Sequence, residues 1–365
     1  MSHSSNVAVY RSALANIGIA IFKIGGGIAC QSSVMIGEGI HSIVDTLNQL
    51  LLLVGRWMAK KPASEKNPLG HHKAPFFFGV IIATFIFYMG SMFTGYEGIH
   101  SWMHPEPINY APVMVVGFEI PRLVILLCII IGAMAFEAWA LKGAIDEVQE
   151  KFPGLSLVGA VRASKDPADI ILVFEDTAAL VGLTIAFVGV SMAYYTGNPL
   201  WDAGGTIMIS VLLLVVSAVL LRKLYSLEIG ESADPVTLER IRGVVLNANY
   251  FKFEQDGEPL RERPGIERIN ELVTIHHGPN QIIVLVSLDF KDKIGSKHIE
   301  ALVSQIDRDL KEISSVIKVF VEAQNYVSHL DILNEDGDDD EDGEKRFEAF
   351  EPDTDDSTVA NGTHG

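Results

Sequence analysis

The sequence predicts an all-α membrane domain of six transmembrane helices over residues 1–226, a cytoplasmic α+β domain of αββαβ, ferredoxin-like order over 227–327, and a disordered acidic tail over 328–365. Three observations carry this. Apolar stretches of bilayer length recur through the first two-thirds of the chain, the apolar period changes after Lys223, and the acids crowd to one end. The last point explains how a chain of net charge −18 has 48% hydrophobic residues and a mean hydropathy of +0.28. From Glu335 onward 13 acids and two basic residues give a local −11, which leaves −7 for everything before it. Cys30 and Cys128 have no CxxC spacing, so a disulfide scaffold is excluded. No basic patch interleaved with aromatics offers a nucleic-acid surface.

A hydrocarbon core about 30 Å thick is crossed by about 20 apolar helical residues. Ser12 to Met35 is apolar apart from Lys23, and Ser33 to Met58 is apolar apart from Glu38, His41, Asp45 and Arg56; these are spans one and two. Ala74 to Tyr96, 23 residues without a charge, is span three. Leu123 to Phe136 continues past Glu137 to Leu141 as span four, and Thr177–Leu200 and Ile207–Leu221 are spans five and six. Met1 to Val9 lacks the pattern of a cleaved signal peptide. Lys and Arg gather in alternate links: Arg56 to Lys73, Lys142 to Lys165, and Arg222–Lys223. Both termini are therefore expected to face the cytoplasm, in a bacterial inner membrane first and an organelle second.

Beyond Lys223, Asp234-Pro235 supplies an N-cap and a proline at the first helical position for a helix to about Asn247. Arg268–His276 and Gln281–Phe290 read as strands of a hairpin turning at Gly278-Pro279-Asn280. Ser296 is expected to cap a helix to about Ile313, and Val316–Ala323 closes as a strand, with both helices on one face of the sheet.

An ionisable group in a membrane helix costs about 2.5–3.5 kcal/mol on insertion scales, so each invites a functional reading. His41 and Asp45 stand at i and i+4 on one helix face, and imidazole plus carboxylate is half a site for a first-row transition metal. The same pair could instead be a hydrogen bond that fixes helix packing. Glu175 and Asp176 on span five add carboxylates that favour metal. Metal ligands must be deprotonated, so protons compete with the ion at His41, Asp45 and Asp176. Lys23 is expected to be the structural partner of a buried acid, Glu38 foremost. Glu137 reads either as a second proton carrier or as a packing group.

Three stretches, Met35-Ile-Gly-Glu-Gly-Ile-His41-Ser-Ile-Val-Asp45-Thr-Leu-Asn48-Gln, Asn67-Pro-Leu-Gly70-His71-His-Lys73 and Glu175-Asp176-Thr-Ala-Ala-Leu-Val-Gly182, together resemble the cation diffusion facilitator transporters. The resemblance spans roughly residues 10–325. Glu175-Asp176-Thr-Ala-Ala and Tyr96-Glu97-Gly-Ile-His100 are similar to the branch that includes the mitochondrial zinc transporter nine group. It implies a homodimeric transporter, not an enzyme, that exchanges a divalent cation for protons; the metal is substrate, zinc first, with Mn²⁺, Co²⁺ and Fe²⁺ as alternatives, and no cofactor is implied. It also implies a tetrahedral site of paired ligands on helices two and five. Helix two matches at His41 and Asp45; on helix five Asp176 matches the second position, but the first falls on Leu172, which cannot ligate. Glu175, Asn48 or water then supplies the fourth ligand. Accessory metal sites are implied near His71 and His72, where Asn67 stands in place of the motif's first histidine, and at His276 and His277 beside the hairpin turn. A membrane-anchored metal sensor would not need acids buried on several helices. An intramembrane metallohydrolase would lack the general base of an HExxH arrangement.

Overall fold

The computed structural model describes residues 2–30, 32–115, 118–248, 265–292 and 294–330; the acidic tail from Glu335 lies outside them. The chain divides into two compact units, one up to Glu231 together with His277–Asn280, the other of Ser232–His276 and Gln281 onward.

The first unit is helical: α1 (Ser2–Cys30), α2 (Ser33–Ala59), α3 (Ala74–Phe85), a π segment (Ile86–Phe93), α4 (Thr94–Met103), α5 (Arg122–Lys151), α6 (Leu157–Ala163), α7 (Pro167–Thr196) and α8 (Leu200–Ile229). Helix α3, the π segment and α4 form one continuous rod, Ala74–Met103. That rod and α5, α7 and α8 are each 30 residues long and apolar enough to cross a membrane, four such helices among the described residues. Thirty residues rise about 45 Å, enough for the hydrocarbon core and its headgroup flanks. Helix α1 adds a shorter apolar run, Asn16–Cys30.

Local chemistry sets the ends. At α7, Asp166 Oδ1 accepts from Ala168 N at 3.0 Å, Pro167 occupies the first turn, and Gly197 (φ +72°) takes the left-handed turn that ends the helix. The π segment loosens the helical ladder inside the rod, and the Ser91 carbonyl accepts from Ser210 Oγ of α8 at 2.9 Å. In a bilayer such a group needs a protein partner, because water is absent. Leu183, Ile82, Ile130, Leu213 and Leu220 fill the centre of the bundle, while Phe77, Met92, Trp139 and Val215 face outward.

The link between His104 and Pro121 contains two short antiparallel strands, β1 (Val113–Val115) and β2 (Phe118–Ile120), which the sequence reading did not include. Three residues are too few to show an alternating pattern in a sequence. Helix α6, in the link after α5, was equally invisible: it is seven residues long and starts at Ser156, whose hydroxyl accepts from Gly159 N.

The second unit follows the expected order, α9 (Pro235–Ala248), β3 (Ile266–Gly278), β4 (Gln281–Phe290), α10 (Ser296–Lys311) and β5 (Val316–Ala323). The sheet order is β3-β4-β5, with β5 parallel to β4 and paired from Ile282↔Val316 to Leu288↔Ala323. A parallel neighbour needs a crossover, which α10 supplies. Ile241 and Val245 of α9, Val284 and Leu288 of β4, Ile306 and Leu310 of α10, and Val319 of β5 form its core. Asp234 Oδ1 caps α9 by accepting from Val236 N and Thr237 N. Ser296 does not cap α10: Gly295 holds the cap position in extended conformation and no side chain bonds there, because glycine serves at an N-cap through its backbone freedom.

The helical unit ends at a clamp. Glu231 accepts from Lys223 at 2.9 and 3.0 Å and from Lys165 of the α6–α7 link. Burial pushes the Glu231 carboxyl up, but hydrogen bonds from Lys165, Lys223 and Ser226 outweigh it and hold the group at about 2, against an ordinary 4.5. A carboxyl depressed in the folded state stabilises the protein above its unfolded value, and that contribution is lost as pH falls through the folded value. Glu231→Gln is therefore expected to lower stability by about 1 kcal/mol or less at neutral pH. In thermal melts of the detergent-solubilised protein, the gap from wild type should shrink as pH falls from 4.5 toward 2; a gap that widens would contradict the clamp.

Candidate metal and proton site

Helix α2 is amphipathic in the inverted sense. Glu38, His41, Ser42, Asp45, Asn48 and Gln49 recur at helical spacing and are all buried, while Ile43, Leu47, Leu50 and Val54 on the remaining face are exposed. This is what a membrane selects: lipid receives the apolar face and the bundle receives the polar one. Close approach is built in by small residues. Gly39 sits where a Cβ would meet the backbone nitrogen of Ile24 at 3.1 Å, and a Cβ at Gly182 of α7 would lie 2.7 Å from Glu38 Oε1.

His41 and Asp45 are 2% and 6% exposed, with His41 Nε2 3.6 Å from Asp45 Oδ2. That separation is beyond a hydrogen bond. Both ring nitrogens of His41 and Asp45 Oδ1 are buried without a hydrogen-bond partner. The packing alternative, a His–Asp hydrogen bond, is thus not what holds these side chains. Buried polar atoms left unsatisfied are costly, and lone pairs in this state suit a proton or a cation.

One turn along α2, Asn48 Nδ2 donates to Glu175 Oε1 of α7, while Asn48 Oδ1 has no partner. The two adjacent acids of α7 part company here. Glu175 is buried against α2, whereas Asp176 is half-buried and lines a cavity of about 500 Å³ with Leu172, Gln49, Arg56 and Glu137. Leu172, at the place where the motif would have a ligand, faces this same cavity. Among the described residues no three His, Cys, Asp or Glu side chains gather around one point. In this conformation the donors form two half-sites, His41 with Asp45 and Asn48 with Glu175, and Asp176 borders the cavity.

Lys23 Nζ donates to Glu38 Oε2 at 3.2 Å and to Ser42 Oγ at 3.0 Å, and lies 3.9 Å from Glu137 Oε1. One buried ammonium thus joins α1, α2 and α5. Among the described residues Lys23 is the one buried Lys or Arg, while Glu38, Asp45, Glu137, Glu175 and Asp169 are all buried, the last of them bonded to Lys151. The contribution of Ser42 and the place of Gln49 on the cavity wall were missed in the sequence, although both continue the stripe that starts at Glu38.

Of the accessory histidines, His71 Nε2 lies 3.2 Å from Asn67 Nδ2, so the asparagine that replaces the motif's first histidine bonds the second one. His276 and His277 alternate on β3 as expected, and His276 is 5% exposed. His276 is therefore not a solvated histidine, while His277 is half-buried.

Residues 9–227 match the cation efflux transmembrane domain. The chain is 28% identical over 298 residues to the mitochondrial proton-coupled zinc antiporter SLC30A9 of Xenopus laevis, covering 81% of this chain and 48% of that protein. It is 24% identical over 354 residues to metal tolerance protein C4 of Arabidopsis thaliana, covering 88% and 74%. To the manganese efflux system protein MneP of Bacillus subtilis it is 22% identical over 321 residues, covering 86% and 93%. The chain spans about half the length of the SLC30A9 relatives it matches.

The lysine network yields a stability prediction. Lys23→Met leaves Glu38 and Glu137 without their cation and is expected to destabilise the bundle by about 3–5 kcal/mol, as for one partner removed from a buried pair. Lys23→Met combined with Glu38→Gln should recover much of that loss. Unfolding of the detergent-solubilised variants measures both; a silent Lys23→Met would show that the network carries no stability.

Proposed function

The chain belongs to the cation efflux family, and from that premise we propose that it exchanges a divalent transition-metal cation, zinc first, for protons across a membrane. Metal would leave the compartment faced by the basic links, which the positive-inside rule makes the cytoplasm. The observation that carries this reading is the charge imbalance around α2: Glu38, Asp45, Glu137, Glu175 and an imidazole without a hydrogen-bond partner are buried there against one lysine, while the fifth buried carboxyl, Asp169, has its own partners in Lys151 and Ser164. Such a core cannot hold all its carboxylates ionised at low dielectric without a counter-charge. Protons satisfy it in one state and a divalent ion in another, so binding either expels the other. The proton coupling named for the SLC30A9 relative agrees with this chemistry.

In this reading the ion enters by the cavity bordered by Arg56, Asp176 and Glu137 and reaches His41 and Asp45 on α2. Glu175 or Asp176 completes the ligand set when α7 moves against α2, and Asn48 holds Glu175 until then. His41, Asp45 and Asp176 carry the exchanged protons. Lys23 and Glu38 serve as a structural pair, with Glu137 placed to take a proton on the cavity side. Helices α1 and α2 complete six spans, the second unit is a ferredoxin-like cytoplasmic domain, and the protein acts as a homodimer. A second reading, manganese as substrate, has its own support: the unpartnered amide oxygen of Asn48 beside Glu175 is a hard donor suited to Mn²⁺.

Uptake into sealed proteoliposomes with and without a pH gradient tests the proposal. Wild type should accumulate Zn²⁺ or Mn²⁺ under the gradient, and the ratio of the two decides between the readings. Asp45→Ala and Asp176→Ala should fall to the level of protein-free vesicles; full uptake by either contradicts the site. Glu175→Gln should weaken metal binding, whereas deletion of residues 335–365 should leave flux nearly intact.

A further inference from the structure

At the end of the helical unit where α1 turns into α2 and α7 into α8, a second cavity of about 660 Å³ opens. Its wall carries Glu97, His100 and His104 from α4 and its C-terminal cap, Glu106 from the loop that follows, and Asp202 from α8. Asp202 is already engaged, accepting from Ser32 Oγ at 3.0 Å. The histidines are not used by the fold in this way. His100 lies in the last turn of α4 and His104 at its C-cap, where the chain leaves helical conformation (φ −126°, ψ 65°), so the cap geometry and not a helical repeat brings the two imidazoles together. Their ring centroids are 4.8 Å apart, and both side chains are exposed.

The tautomer is also set. His104 Nδ1 lies 3.3 Å from the His100 carbonyl oxygen, which accepts hydrogen bonds and cannot donate them. In this contact Nδ1 of His104 is the donor, and in the neutral ring that leaves Nε2 as the acceptor. A backbone carbonyl bonded to one ring nitrogen is the usual support for a metal-ligating imidazole. Glu97 and Glu106 line the same cavity but do not close with the two histidines into a group of three donors.

We propose that His100 and His104 form a second binding site for a divalent transition-metal cation, in the vestibule at the end of the bundle opposite the basic links. Two imidazoles with water completing the coordination make an open, exchangeable site, and imidazole favours Zn²⁺, Co²⁺ or Ni²⁺ over Mg²⁺. As a station on the exit path this site rests on the transport reading above; as a binding site it stands without it.

The test is histidine carbethoxylation of the full-length protein in detergent, read residue by residue by mass spectrometry, with Zn²⁺ alone as the probe. With free Zn²⁺ at about ten times its half-protection concentration, modification of His100 and His104 should slow about tenfold together. The same protection should appear in Asp45→Ala, and Mg²⁺ should give none. Protection that persists in Asp45→Ala while uptake by wild-type proteoliposomes fails would keep this site and remove the transport reading. Unchanged rates at both histidines, equal protection by Mg²⁺, or protection lost in Asp45→Ala would each overturn the site.

Discussion

A bilayer offers no water to a polar side chain, and that constraint organises the helical unit. Seven buried polar residues on one helix, Glu38 to Gln49, must all be met by protein. The bundle answers with small residues that let neighbours come near, Gly39 of α2 toward α1 and Gly182 of α7 toward α2, and with one lysine placed among the acids. Helix α7 shows the same logic. Ala178, Ala179, Gly182 and Ala186 form its buried face, so the backbone approaches α2 closely enough for Glu175 to reach Asn48. Packing and polarity are not separate features here, since the small residues are what bring the polar ones together.

The incompleteness of that answer is what gives the core its chemistry. If Lys23 had matched the acids one for one, and His41 had bonded Asp45, the stripe would be a structural network with nothing left to bind. Instead the lysine is outnumbered, and His41 and Asp45 keep unsatisfied atoms in a buried place. A static charge deficit of this kind is expensive, and an exchangeable one is useful, because a proton and a metal ion can each relieve it. In the proposed exchange, separation of the donors into two half-sites would favour release of the ion as well as its binding.

Much of this was legible in the sequence. The apolar runs of bilayer length, the i and i+4 relation of His41 and Asp45, and the change of period after Lys223 are patterns that survive without coordinates. What was not legible depends on rotation and on tertiary partners. Glu175 and Asp176 are neighbours about 100° apart on a helix that is apolar nearly all round, so nothing local tells which one turns toward α2. The π segment is supported by Ser210, more than a hundred residues away. Asn48 looked like a spare ligand, and the finding that it grips Glu175 required the contact itself.

In the proposed exchange, protons and metal compete for one buried set of donors around His41 and Asp45. Proton release on adding Zn²⁺ to the purified protein in weakly buffered detergent, counted with a pH indicator alongside the bound metal, tests it most directly. The account predicts proton release in step with Zn²⁺ binding, larger at lower pH as more donors start protonated, and greatly reduced in the His41→Ala, Asp45→Ala double variant. Stoichiometric binding without proton release, or release unchanged in that variant, would contradict it.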